Sequence, residues 1–263
     1  MPVVGQRAPV AFVSHGAPLV ALEDGPYQQA LRALGERFRH AKAVLSVSAH
    51  ALAAPPVRVG TAPTNRTVHD FGGFPDALHA MTYPAPGDPD LAAEIVELLD
   101  AEGFEAATAP GLGLDHGVWI PMRLALPDAT LPVIPMTLPS ASPGDLLALG
   151  TAMSPVRDRG VAVLASGGIV HNLRRVVLDD RDAPVEAWAG VFDRWVADRI
   201  AAKDTIALAA YRRRAPHAVD AAPTPEHFDP LFVALGAAEA DNPRTLYEGF
   251  EYGTLSMRCV IWG

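Results

Sequence analysis

The chain is short of cysteine, of basic charge and of long apolar runs, and each shortage removes a class of protein. Cys259 is the single cysteine in 263 residues. No intramolecular disulfide and no cysteine-based zinc site can form, which suits a reducing compartment. The apolar run around Cys259 places it in the core. Lys and Arg together number 21 against 30 Asp and Glu, a net charge of −9. A nucleic-acid or anionic-membrane partner would require a basic face for its phosphates, which this balance does not supply. Arg212, Arg213 and Arg214 form the one dense basic spot and read as a solvated helix end. No apolar run approaches the ~20 residues of a membrane span, and residues 1–9 lack the charged start and apolar block of a signal peptide. The expectation is a cytoplasmic protein without nucleic-acid or membrane partners, monomeric or a small homo-oligomer. Internal repeats, low-complexity linkers and the G-x-G-x-x-G dinucleotide fingerprint are also missing.

What is present is a composition of 49% hydrophobic and 19% charged residues, ordinary for a globular protein and enough for one large core spanning 1–263 as a single domain. Three apolar runs stand out, at residues 9–14, 43–49 and 161–166. Each reads as a buried strand of a parallel-type sheet that delivers a histidine at or just past its carboxyl end: His15, His50 and His171. In open α/β sheets that edge is where ligands bind.

The segments between them read as helices. Residues 22–40 carry Tyr27, Leu31, Leu34 and Phe38 on one face, with His40 as a surface residue in the last turn. Asp88 caps a helix that Pro89 opens and Gly103 stops. Residues 104–108 read as an edge strand, 131–138 as a further strand, and 142–154 and 185–203 as helices. Thr224 is expected to cap a helix that begins near His227, and 254–262 to return to the sheet as an antiparallel strand. The fold class is therefore α/β: one three-layer domain with a central mixed sheet and helices on both faces.

Nine histidines are present, and His15, His50, His116, His171 and His227 all stand beside glycine or proline turns at element ends. One such histidine alone is ordinarily structural; five around one sheet edge point to a metal or to catalysis. His69 is a weaker candidate, and His79 and His217 read as surface residues. Nitrogen ligands with no cysteine suit zinc or non-haem iron with an open coordination position. The loop at residues 67–75 is glycine-rich, aromatic and polar at once, and Asp70, Phe71 and Phe74 in it suit closure over a small ligand.

The motifs Ser14-His15-Gly16-Ala17-Pro18, Ser48-Ala49-His50, Asp70-Phe71-Gly72-Gly73-Phe74-Pro75, His116-Gly117-Val118-Trp119, Ser166-Gly167-Gly168 with His171-Asn172, Thr224-Pro225-Glu226-His227 and Ser256-Met257-Arg258 occur in one order along almost the whole chain. In this the sequence resembles the DODA-type extradiol ring-opening dioxygenases of the class III extradiol superfamily, which includes the 4,5-DOPA dioxygenases. The resemblance implies one Fe(II) or Zn(II) per chain, with His15, His50 and His227 as ligands. His171 is then either a fourth ligand or the base beside the metal, and His116 the acid. Glu226 is offered as the glutamate that completes many class III sites. His69, Asp70, Phe71 and Phe74 would bind the substrate.

The implied reaction inserts both atoms of O2 into a catechol such as DOPA, a small aromatic diol, opening the ring beside its hydroxyls. His171 takes a phenolic proton, for which a pKa near neutrality suits. Two rivals stand beside this reading: a zinc-dependent hydrolase using the same histidines, and a non-catalytic binding relative. A serine hydrolase is disfavoured because Ser166-Gly167-Gly168 lacks the G-x-S-x-G elbow.

Overall fold

Strands form where apolar residues run unbroken, and here the two faces of each run go to different cores. The computed structural model describes residues 7–239 and 241–263; residues 1–6, part of the segment read for a leader, lie outside them. Ten strands occur among the described residues: β1 (Val10–Ser14), β2 (Ala43–Ala53), β3 (Val57–Gly60), β4 (Ala106–Ala109), β5 (Val133–Pro139), β6 (Val161–Gly167), β7 (Pro243–Tyr247), β8 (Phe250–Glu251), β9 (Leu255–Ser256) and β10 (Cys259–Trp262). All but β8 and β9 make one eight-stranded sheet in the order β4-β3-β5-β2-β6-β1-β10-β7. β1 and β2 both pair parallel with β6, whereas β10 runs antiparallel to β1. The mixed sheet expected from the sequence is thus observed.

Alternation sorts the side chains. Val10, Phe12, Leu45, Val47, Val163 and Ala165 face one core, which the helices Pro89–Ala101, Pro143–Met153, Ala187–Ala201 and Pro230–Ala238 cover. Ala11, Val13, Val44, Ala162 and Leu164 face the other, under the helices Pro26–Phe38 and His116–Ala125. Strands buried on both faces read as continuous apolar runs for this reason. Cys259 is fully buried. No helix among the described residues is long and apolar enough to cross a membrane.

Several boundaries differ from the sequence expectations. The helix expected over 22–40 begins at Pro26, because Gly25 is extended and a separate 3-10 turn occupies Pro18–Leu22. His40 is exposed, as expected. Asp88 does cap its helix, its Oδ1 accepting from the Leu91 amide at 3.0 Å. Thr224 caps nothing: the helix starts at Pro230, and the Thr224 hydroxyl donates to Glu226 Oε1 at 2.7 Å. The terminal strand is split into β9 and β10.

Candidate active site

β1 and β6 end level, Ser14 pairing with Gly167, while β2 passes beside them with Ser48 paired to Ser166 and runs on to Ala53. His15 follows β1 directly. His50 lies within β2, inside an irregularity between Val47 and Leu52 where the register to β5 shifts, a device that re-aims side chains at sheet edges. His227 arrives from a distant loop. Its backbone docks on the glycine pair after β6, the Gly168 amide donating to the His227 carbonyl at 2.7 Å. A Cβ on Gly167 would stand 2.2 Å from that oxygen, so only glycine admits the approach.

These three histidines converge. His50 Nε2 lies 3.1 Å from His15 Nε2 and 3.3 Å from His227 Nε2. Nitrogens held tetrahedrally at 2.0–2.1 Å from a metal are separated by about 3.3–3.4 Å, and cis octahedral neighbours by about 2.9 Å. The observed spacing therefore fits one ion. Each ring is also held from behind. Ser166 Oγ donates to the Gly117 carbonyl, so its 2.9 Å contact with His15 Nδ1 has the imidazole as donor. Nδ1 of His50 faces Asp70 Oδ2 at 3.3 Å, and Nδ1 of His227 faces Glu226 Oε1 at 3.3 Å. With the Nδ1 atoms of His15 and His227 hydrogen-bonded to oxygen and that of His50 beside the Asp70 carboxylate, the three Nε2 atoms are turned toward one point, the arrangement that metal-binding imidazoles adopt. Glu226 thus stands behind His227 and supports it.

Burial dominates the electrostatics. His15 is 3% exposed, and burial, then the nearby His50 and His116, push its pKa well below the usual value. Burial, then His116, lowers His50 to about 3. Neutral imidazoles are the form that binds a metal.

His171 does not join the three. Its ring lies flat against that of His227, with centroids 3.4 Å apart and planes 6° from parallel. Burial, then His227, lowers its pKa to about 3, well under the near-neutral value that the sequence reading called for. His116, 7% exposed, sits on the other flank, its ring centroid 4.0 Å from that of His50.

The loop over the site is aromatic. Phe71 meets the His116 ring edge-on at 5.6 Å, and Phe74 meets Phe71 at 5.5 Å. His69 is spent on structure: its Nε2 donates to the Met81 carbonyl at 2.9 Å, and its ring packs on Trp119. His79 is exposed at this wall and His217 is exposed elsewhere. Asp70, expected to touch substrate, instead faces histidines. Its Oδ1 accepts from the His116 amide at 2.9 Å and its Oδ2 from His116 Nδ1 at 3.0 Å. Burial alone would raise its pKa, but the bonds from His116 hold it at about 2. Sequence reasoning missed Ser166 and the Asp115–Ser48 bond, 2.7 Å, beneath His50. The recurrence of serine just before the strand-end histidines is the signal that points to them.

An α/β sheet with three convergent imidazoles and two more beside them defines a candidate metal-dependent enzyme, and comparison with known proteins gives its family. Residues 9–259 match the model of the catalytic LigB subunit of aromatic ring-opening dioxygenases, and the chain belongs to that family. It is 36% identical over 261 residues to the 4,5-DOPA dioxygenase extradiol of Escherichia coli K12, covering 98% of this chain and 95% of that protein. The 4,5-DOPA dioxygenase extradiol of Beta vulgaris is also 36% identical, over 93% of this chain and 92% of its own. A crystal structure of an uncharacterized Escherichia coli K12 protein superposes with a TM-score of 0.81 at 30% identity, covering 98% of this chain and all of that one.

Proposed function

We propose that the chain opens the ring of a catechol beside its two hydroxyls, inserting both atoms of O2, with Fe(II) held by His15, His50 and His227. The observation that carries this reading is the convergence of the three Nε2 atoms, 3.1 and 3.3 Å apart, with two further imidazoles flanking them. The relatives named as DOPA dioxygenases support a DOPA-like catechol as substrate. When bound, the ion supplies Lewis acidity to the diol oxygens and a path for electrons from the ring to dioxygen.

The chain's own residues supply the rest. His171 is neutral at physiological pH and offers a lone pair to the phenolic proton; its low pKa means that it accepts only from a phenol already made acidic by its surroundings. His116, with the Asp70 carboxylate behind its Nδ1, holds a proton for the oxygen that departs as the O–O bond breaks. Phe71 and Phe74 wall the substrate side and exclude water from it. The whole chain acts as one catalytic unit, cytoplasmic, monomeric or a small homo-oligomer, with neither nucleic-acid nor membrane partners.

Three imidazoles also suit Zn(II), and a zinc hydrolase is the rival on the same donor set. Anaerobic loading with Fe(II), addition of L-DOPA or a simple catechol, and admission of oxygen separate the two. Oxygen uptake with a yellow ring-opened product, lost in His171→Ala and His116→Ala, is expected. No uptake with any catechol, together with zinc-dependent turnover of an ester or amide, contradicts it.

A further inference from the structure

The run Arg212-Arg213-Arg214, expected from the sequence to be a solvated helix end, is exposed, and two of its members also rim a cleft that none of the five clustered histidines lines. The cleft encloses about 340 Å³ between residues 209–213, the start of the helix Pro143–Met153, and Pro225 and Asp229, which bracket the segment that carries His227. We infer that it binds a zwitterionic amino acid with an apolar side chain, the ammonium meeting Asp229 at the floor and the carboxylate meeting Arg212 and Arg213 at the rim. The inference is independent of the reaction proposed above.

The floor holds polar groups that the fold leaves unsatisfied. Asp229 is 4% exposed, and it keeps that small exposure at the cleft that it lines. It stands at the start of the helix Pro230–Ala238, where an aspartate ordinarily accepts a backbone N–H. Here its side chain makes no such bond. The charged groups acting on it are Glu226, which repels it, and Arg212. Arg212 does not turn in to pair with it: the guanidinium carbon lies over the Tyr211 ring, 5.4 Å from its centre. The Tyr211 hydroxyl in the same corner is buried and also without a hydrogen-bond partner. Buried polar groups are ordinarily partnered, and a buried carboxylate is costly until a cation meets it.

The signs of charge select the ligand. A simple cation suited to Asp229 is repelled by the two guanidinium groups above it. A simple anion suited to the guanidinium groups is repelled by Asp229. A molecule carrying both charges is favoured at both levels, and the arginines suit a carboxylate because their planar donors match its two oxygens. Between the levels the walls are apolar, with Pro143, Ala209, Ala210 and Pro225, so the remainder of the ligand is apolar too. The volume is of the size that takes a small molecule.

The test is calorimetric titration of the zinc-loaded protein at pH 8 and low salt with L-phenylalanine, L-leucine and L-methionine, none of which has a diol to chelate the metal. Phenethylamine and 3-phenylpropanoate, each lacking one of the two charges, are the controls. At least one amino acid is expected to bind with one site per chain, and each control at least about tenfold more weakly than L-phenylalanine. Asp229→Asn, and the double variant Arg212→Met with Arg213→Met, should each weaken binding on the order of 10–100-fold, the worth of one charge-assisted hydrogen bond, with zinc content unchanged. The two arginines are exposed, so their variant keeps the test open if Asp229→Asn fails to fold. No binding of any of the three amino acids overturns the inference. So does a control that binds as tightly as L-phenylalanine, or an amino-acid affinity untouched by the arginine substitutions, which would put the ligand elsewhere on the chain.

Discussion

The His171 imidazole lies on that of His227 like one plate on another, with centroids 3.4 Å apart and an interplanar angle of 6°. Stacked rings present their nitrogens side by side, so only one of the two shares the point on which His15 and His50 converge. This geometry favours the base role over the ligand role for His171.

His171→Phe keeps the stacked ring and removes the nitrogens. It should retain one metal per chain by elemental analysis while kcat falls on the order of 10²–10⁴-fold, the range for loss of a general base. His227→Ala should lose the metal itself. Equal metal loss in both variants would show that His171 is a ligand.

Gly167 tests whether the approach of the His227 loop builds the site. A methyl there would meet the His227 carbonyl at 2.2 Å. Gly167→Ala is expected to cost about 1–3 kcal/mol in denaturant unfolding, as overpacked positions do, and to weaken metal binding although no ligand is altered. Metal affinity equal to that of the parent would refute the link.

Asp115 carries a pH signature. Burial raises its pKa to about 6, against the partial relief of the bond from Ser48. A carboxyl whose pKa is higher folded than unfolded contributes stability below its unfolded pKa of about 3.9, and that contribution is lost as the pH rises through the folded value. Asp115→Asn has no such loss. The melting temperature of the variant relative to the parent should therefore climb between pH 4 and pH 7, both measured without metal. A difference that stays flat or falls over that window contradicts the assignment.

Phe71 packs edge-on against His116 and Phe74 against Phe71, and the proposed function puts both on the substrate side. Phe71→Leu and Phe74→Leu should shift the ratio of kcat/KM between DOPA and unsubstituted catechol while metal content stays at one per chain. An unchanged ratio would remove them from the substrate wall.

Much of this site is written locally in the chain. The runs ending at His15 and His50 are apolar on both faces because both faces of the sheet are covered, and glycine or proline stops them where a ligand edge needs loops. That logic depends on near neighbours in sequence; it holds for β1, which stops at Ser14, whereas β2 continues through His50 to Ala53. The helix expected from residue 22 failed at its start because Pro18 and Pro26 allow two separate helical turns with an extended Gly25 between them. Thr224 was assigned a cap from spacing alone, whereas its hydroxyl has a nearer acceptor in Glu226. The contacts of Asp70 are hidden from the sequence for a deeper reason. Its partners are a histidine 46 positions later and another on a different strand, and a loop's polar side chain declares its partner only when the strands beneath it are placed.

The most direct test of the central claim is ring opening of L-DOPA under 18O2 by the Fe(II)-loaded protein, with oxygen uptake and product followed together. Equimolar uptake and ring-opened product, no hydrogen peroxide, and 18O retained in the new carboxylate are predicted. Uptake that yields peroxide or quinone with no ring-opened product, or a carboxylate oxygen drawn from water, would contradict extradiol cleavage by this site.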